Sequence, residues 1–172
     1  LYPQRAAYRE GWNTLVLENH DNPRSVNRFS INASKYRYEA ATMLATVMYM
    51  GYGTPFIYMG QEAGLTNCDF KNIAEMMDPV SHFVYDLMTG FGMPKGLAFR
   101  FIKYGARDHS RVPIAWDDSA NGGFNEGHAP WQCVNPLYPE INVKKDLENE
   151  RSVYRVYQKL LRVRKKRREA LM

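Results

Sequence analysis

The sequence has 172 residues and a formal net charge of +5, and its 45% hydrophobic and 24% charged residues are ordinary values for a chain able to bury a core. No apolar run approaches the roughly 20 residues of a membrane span, so no membrane partner is expected. The positive charge does not imply a nucleic-acid partner either: Lys159, Arg162, Arg164, Lys165, Lys166, Arg167 and Arg168 carry it, and without these seven the formal charge falls to −2. Such a run suits a solvated helix terminus or a surface facing a following domain. Two cysteines, Cys68 and Cys133, lack metal-ligand and Cys-x-x-Cys spacing. No metal or other cofactor is expected, and the pair points to a reducing, cytoplasmic setting.

In chain order, residues 1–10 read as the tail of a helix stopped by Gly11. They hold neither an initiating Met nor a basic-then-apolar targeting segment, so the natural N-terminus is expected to be missing. Residues 12–17 are apolar at nearly every position, as in a strand covered on both faces, and Pro23 cannot continue a ladder. That strand delivers Glu18-Asn-His-Asp-Asn-Pro-Arg24. In parallel α/β folds the ligand crevice lies just past strand C-termini, which makes His20, Asp21 and Arg24 candidate site residues. For the His-Asp pair alone, a capped turn with a surface ion pair is the structural alternative.

Residues 25–32 read as a loop and residues 33–50 as a helix. Ala40, Met43, Leu44, Val47 and Met48 recur at helical spacing, and Gly51 stands at C′. Being apolar on most sides, this helix is expected to be buried against the sheet. Residues 55–59 suit the next strand, completing one right-handed parallel βαβ unit with Asp21 and Glu62 at the same sheet end. From Gly64 to Asn149 the strand-helix alternation stops for longer than an ordinary loop. This reads as a long, irregular, partly helical insertion, with short helices at residues 79–88 and 95–104 and turn-rich backbone at residues 108–138. A last helix is predicted over residues 150–169, capped by Asn149, with Val153, Val156, Tyr157, Leu160 and Leu161 on one face.

Three segments in order carry a family resemblance. Glu18-Asn-His-Asp-Asn-Pro-Arg24 resembles the seventh-strand segment of the α-amylase family of glycoside hydrolases, in its α-glucosidase and oligo-1,6-glucosidase branch. Gly53-Thr-Pro-Phe-Ile-Tyr-Met-Gly-Gln-Glu62 resembles that family's eighth strand. Arg107-Asp-His-Ser-Arg-Val-Pro-Ile-Ala-Trp-Asp-Asp118 resembles the Arg-Asp-x-x-Arg-x-Pro-x-x-Trp-Asp stretch of its oligosaccharide-cleaving members. The resemblance implies an α/β fold, a fragment of a (β/α)8 TIM barrel holding the seventh and eighth βα units, since a whole barrel takes about 250 residues. The expected division is a βαβ unit at 1–62, the insertion at 63–149 and the terminal helix at 150–172.

The resemblance also implies a parent enzyme, a retaining α-glucosidase acting on short α-linked gluco-oligosaccharides. Glycoside cleavage needs one carboxyl to protonate the leaving oxygen and another to attack or stabilise the sugar cation. In the family these Asp and Glu residues stand on the fourth and fifth strands, upstream of Leu1. Asp21 matches a third carboxylate, the transition-state stabiliser, and His20 its sugar-binding neighbour. Arg107 matches an arginine at the closed end of the glucose pocket, with its Asp partner expected outside this chain. Arg111, Arg24 and Glu62 are further possible site residues, Arg24 rather as a bracket for its loop and Glu62 rather as a hydrogen-bonded structural carboxylate. Trp116, Phe124 and Trp131 offer faces to sugar rings or to loop packing. Asp78-Pro-Val-Ser81 departs from the Asp-x-Glu-Ser of many relatives, placing Val80 where a sugar-binding carboxylate is usual. The other class of function is a carbohydrate-binding or assembly module without catalysis. Expected partners are the rest of the barrel and a following β domain, with self-association where strand edges are left open.

Overall fold

The computed structural model describes residues 11–167. The predicted helix tail at residues 1–10, and Arg168 of the basic run, lie outside them. Two short strands, β1 (Thr14–Val16) and β2 (Thr54–Phe56), pair in parallel with Thr14 opposite Thr54, Leu15 opposite Pro55 and Val16 opposite Phe56. The pairing is anchored just outside the ladder, where the Thr54 N–H donates to Asn13 O (2.8 Å) and Trp12 Nε1 to Thr54 Oγ1 (2.6 Å). Gly53 makes this approach possible: its φ is +133°, and a Cβ there would lie 2.5 Å from Asn13 O.

Both strands are shorter than predicted and are not covered on both faces. Val16 is 50% and Phe56 52% exposed, while Leu15 between them packs on the core. The apolar run specifies two covered faces. Among the described residues, helices supply only one.

The predicted loop after residue 24 is instead a short helix, α1 (Ser25–Phe29). Its start is fixed by Glu18, whose Oε1 accepts from both Ser25 N (2.8 Å) and Ser25 Oγ (2.6 Å), placing a carboxylate on the free N–H groups of the first turn. α2 (Arg37–Met50) begins four residues later than predicted, because Asn32 holds the preceding turn by accepting from Lys35 N (3.0 Å). One face of α2, with Ala40, Ala41, Leu44, Ala45, Met48 and Tyr49, is buried; Met43 and Val47 are exposed. The helix that is apolar on most sides is therefore buried on one face and leaves apolar residues bare on the other.

α3 (Pro79–Gly90) and α4 (Lys95–Gly105) pack on each other, within two residues of their predicted bounds. The last predicted helix is α6 (Val153–Lys166), three residues shorter at each end than predicted, and a short helix that was not predicted, α5 (Val143–Glu148), precedes it. Asn149 ends α5 instead of capping α6, which starts at Ser152, whose Oγ accepts from Arg155 N (3.1 Å). Buried Asp146 on α5 accepts from Ser152 Oγ, Val153 N and Tyr154 N at 3.0–3.1 Å, so the first turn of α6 is satisfied by α5.

The main core joins α1, α2 and α6. Ala40, Ala41 and Ala45 let Val153 and Tyr157 approach closely, and the Tyr49 and Tyr157 rings meet edge-on at 5.6 Å. Arg164 belongs to this joint, because its guanidinium donates to Tyr49 O (2.5 Å), Gly51 O (2.9 Å) and Gly53 O. The basic helix end is thus not wholly solvated, although Lys159, Arg162, Lys165, Lys166 and Arg167 are exposed. A second core of Cys68, Phe70, Met76, Ala106 and Val112 supports the irregular segment after β2. No helix among the described residues is long and apolar enough to cross a membrane.

Candidate active site

The turn after β1 is built by Asn19, whose Oδ1 accepts from Asp21 N (2.8 Å) and Asn22 Nδ2 (2.8 Å). This presents His20 and Asp21 outward, with Asp21 half exposed. Beneath them, Arg24 is fully buried and binds the two post-strand segments together: Nη1 donates to Glu18 Oε2 (3.1 Å) and to Met59 O (2.7 Å), while Arg24 N donates to Asn67 Oδ1 (2.8 Å). A side chain so enclosed cannot meet a ligand. Arg24 is the bracket of this corner, and its place among the possible ligands is withdrawn.

Arg107 and Arg111 are brought to Asp21 by a 3-10 turn at Arg107–Ser110, fastened to the two strand ends by Tyr58 Oη donating to Ser110 O (3.0 Å) and Ser110 Oγ to Asn22 O. Asp21 Oδ1 then accepts from Arg107 Nη1 (3.3 Å) and Arg111 Nη2 (3.1 Å), while Oδ2 lies 3.2 Å from His20 Nε2. Arg111 Nε also donates to His20 O (2.8 Å), so one guanidinium fixes both residues of the pair. Four of the predicted site residues, His20, Asp21, Arg107 and Arg111, therefore form one cluster. Both carboxylate oxygens of Asp21 are oriented before any ligand arrives.

Within the chain Arg107 has a further partner besides Asp21. Asp78, buried at the start of α3, takes Arg107 Nε on Oδ2 and Nη2 on Oδ1, each at 2.7 Å. This fork holds the Asp78 carboxyl below the usual carboxylate range and raises the Arg107 guanidinium further still. Asp78 also caps its helix by accepting from Val80 N (3.2 Å), and its own N–H donates to buried Asp108 Oδ2 (3.1 Å), whose carboxyl is pushed up by burial. Asp78 was missed as a site residue, although Asp followed by Pro at a helix start marks it as a cap in the sequence.

Glu62 does not join the cluster. Its charge helps raise the Tyr49 and Tyr157 hydroxyls, which places it toward the α2–α6 joint, and its Oε2 is buried with no hydrogen-bond partner among the described residues. The expected hydrogen-bonded carboxylate is not realised at that oxygen. No set of three or more His, Cys, Asp or Glu side chains among the described residues is placed to hold a metal ion.

Two recesses flank the cluster. A groove of about 1100 Å³ runs from Asp21 past Arg28, Phe29, Lys103 and Tyr104. A smaller cleft of about 250 Å³ lies beyond Arg111, walled by Met59, Trp116, Phe124 and Trp131. Trp131 is 76% exposed there, so its face is open to a ring; beside it both amide atoms of buried Gln132 have no hydrogen-bond partner among the described residues.

The model of the alpha-amylase catalytic domain matches residues 3–172. The chain belongs to the alpha-amylase catalytic-domain family. Among curated proteins, the oligo-1,6-glucosidase of Parageobacillus thermoglucosidasius is 45% identical over 163 residues, covering 94% of this chain and 29% of that protein. The trehalose-6-phosphate hydrolase of Bacillus subtilis (strain 168) is 41% identical, covering 90% of this chain and 27% of the relative. Among solved structures, the trehalose-6-phosphate hydrolase of Bacillus licheniformis superposes with a TM-score of 0.86 at 40% identity, covering 91% of this chain and 28% of that one. An isomaltulose synthase mutant from Erwinia rhapontici NX5, in complex with D-glucose, gives a TM-score of 0.86 at 39% identity over 94% of this chain and 29% of that one. This alpha-amylase-family chain therefore spans less than a third of the length of these relatives, and its two parallel strands with their helices are a piece of an alpha-amylase-type barrel.

Proposed function

We propose that the chain is the C-terminal part of the catalytic barrel of a retaining α-glucosidase, contributing the seventh and eighth βα units. In this reading residues 1–62 are the βαβ unit, 63–149 the insertion that returns Arg107 and Arg111 to the site, and 150–172 the terminal helix. The substrate is a short α-linked gluco-oligosaccharide, and the whole protein works in the cytoplasm with the other barrel strands and a following β domain. The observation that carries the proposal is the state of Asp21: a strand-end carboxylate, half exposed, oriented by two guanidinium groups and an imidazole. The names of the relatives, among them oligo-1,6-glucosidases, support the substrate class.

Mechanistically, a glycosyl oxocarbenium ion carries developing positive charge that Asp21 opposes more strongly than it does the neutral substrate. His20, at its side, adds a hydrogen-bonding group for a sugar hydroxyl. Arg107 and Arg111 keep the carboxylate aimed, and Asp78 keeps Arg107 in place. The nucleophile and the acid/base are supplied by other parts of the protein. The alternative, a carbohydrate-binding or assembly module, is favoured by one observation: Asp78, which Arg107 joins to Asp21 in the cluster, is locked in a fork with that arginine and is not free for acid or nucleophile work.

The two readings part on turnover. The 172-residue polypeptide alone is expected not to release nitrophenol from 4-nitrophenyl α-glucoside, whereas the full-length protein does. Hydrolysis by the polypeptide that Asp21→Asn abolishes would refute the division of labour; absence of hydrolysis by the full-length protein would leave the module.

A further inference from the structure

Cys68 and Cys133 are 65 positions apart in sequence, yet their sulfurs lie 3.9 Å from each other in the second core. Both are free thiols. The segments that carry them are already fastened side by side, because Asn135 Nδ2 donates to Thr66 O (3.1 Å) and Asn67 O (3.2 Å). Phe70, Met76 and Val112 belong to the same core cluster as Cys68, and Cys133 packs against it. Exposure differs between the two: Cys68 is buried at 2%, whereas Cys133 is only partly buried and follows directly on the Trp131–Gln132 wall of the smaller cleft.

We propose that Cys68 and Cys133 form an oxidisable dithiol, a modification site at which a hydroperoxide reacts with Cys133 and Cys68 then closes a disulfide. The steps balance. The Cys133 thiolate attacks the near oxygen of the peroxide, the O–O bond breaks, and the departing hydroxide or alkoxide takes up the proton that the thiol gave up, so that Cys133 becomes a sulfenic acid and water (or an alcohol) leaves. The Cys68 sulfur attacks the sulfenic sulfur, the S–O bond breaks, and the hydroxide released takes the thiol proton as a second water. The sulfurs lose two electrons in all, and the peroxide gains them.

The environment assigns the roles. The hydrogen bond with Cys68 lowers the Cys133 thiol below the usual range, while the same contact and burial push the Cys68 thiol well above it. Because a peroxide can reach partly buried Cys133 and not Cys68, which is 2% exposed, Cys133 is the reacting thiol and Cys68 the resolving one. Closing the bond requires the sulfurs to move from 3.9 Å to about 2.05 Å. The product would staple the segment after β2, including Asn67 beneath the Arg24 bracket, to the segment that walls the aromatic cleft.

The test uses the purified full-length protein, reduced and then exposed to low hydrogen peroxide, with free thiols blocked before a non-reducing digest. The expected result is one cross-linked peptide pair joining Cys68 to Cys133, 2 Da lighter than the sum of its parts and separated by dithiothreitol. For the 172-residue region the cross-link should raise the melting temperature by about 5–15 °C. In Cys68→Ser, Cys133 should stall as a sulfenic acid that dimedone captures; in Cys133→Ser, Cys68 should remain unlabelled. Both thiols remaining open to alkylation after treatment of the folded protein would overturn the proposal. Dimedone capture at Cys68 in Cys133→Ser would overturn the assignment of roles.

Discussion

At the scale of single residues, the surface cluster around Asp21 rests on buried charge. Glu18 and Arg24 are both fully enclosed, and the carboxylate satisfies the start of α1 while the guanidinium reaches Met59 O, so the pair sets the geometry of the turn above. Such a pair adds little net stability but specifies which groups must meet. His109 makes a sharper prediction. It is buried, stacks on Phe70 at 5.2 Å, and donates from Nε2 to Lys103 O at 2.7 Å; burial lowers its pKa from 6.5 to about 4. Between those values the unfolded chain binds more protons than the folded one, so stability is lost as pH falls from 6.5 through 4, by about 3 kcal/mol at the limit. Asp78, whose carboxyl is held low, adds loss in the same direction at lower pH; Asp108, whose carboxyl is raised, works in the opposite sense. Urea unfolding of wild type and His109→Gln across pH 4–7 should give the flatter dependence for the variant. Parallel curves would show that His109 does not control the acid limb.

At the scale of elements, the joint between α6 and the β2 entry turns on Arg164. Removing it in Arg164→Ala strips partners from the carbonyls of Tyr49, Gly51 and Gly53, and should cost about 1–3 kcal/mol together with faster amide exchange at Gly51 to Thr54. Unchanged exchange there would mean that the strand entry is held by the ladder alone. α3 and α4 carry their own punctuation, Asp78-Pro79 and Pro94, and their predicted bounds hold within two residues. α1 has five residues, too few for a periodic signal, and its start depends on Glu18 reaching Ser25 across the turn. The start of α6 was misplaced because Asn149 is a good cap by type, while the working caps are Ser152 and, from the preceding helix, Asp146. Within the site, His20, Asp21, Arg107 and Arg111 were legible as motif residues. The Asp78–Arg107 fork was not, because it joins positions 29 apart that only the packed chain brings together.

At the scale of the whole molecule, β1 and β2 stand among the described residues as a two-stranded sheet, with Val16, Phe56 and Ile57 exposed on or just after its strands and Met43 and Val47 exposed on α2. An isolated sheet edge with apolar neighbours favours pairing with another chain. The 172-residue polypeptide in isolation is therefore expected to self-associate, which light scattering after size exclusion would detect. A monodisperse monomer with a cooperative melt and no binding of a hydrophobic dye would show that the open faces need no partner. In the full-length protein the same faces are expected to meet the other barrel units, and the Asp21 cluster to complete a glycosidic site. The most direct measurement is kcat/KM of the full-length protein on 4-nitrophenyl α-glucoside with the single change Asp21→Asn, which keeps the side-chain volume and removes the charge. The account predicts a fall of about a hundredfold or more, carried mainly by kcat, with the melting temperature little changed. A variant that folds normally and retains near wild-type kcat/KM would contradict it.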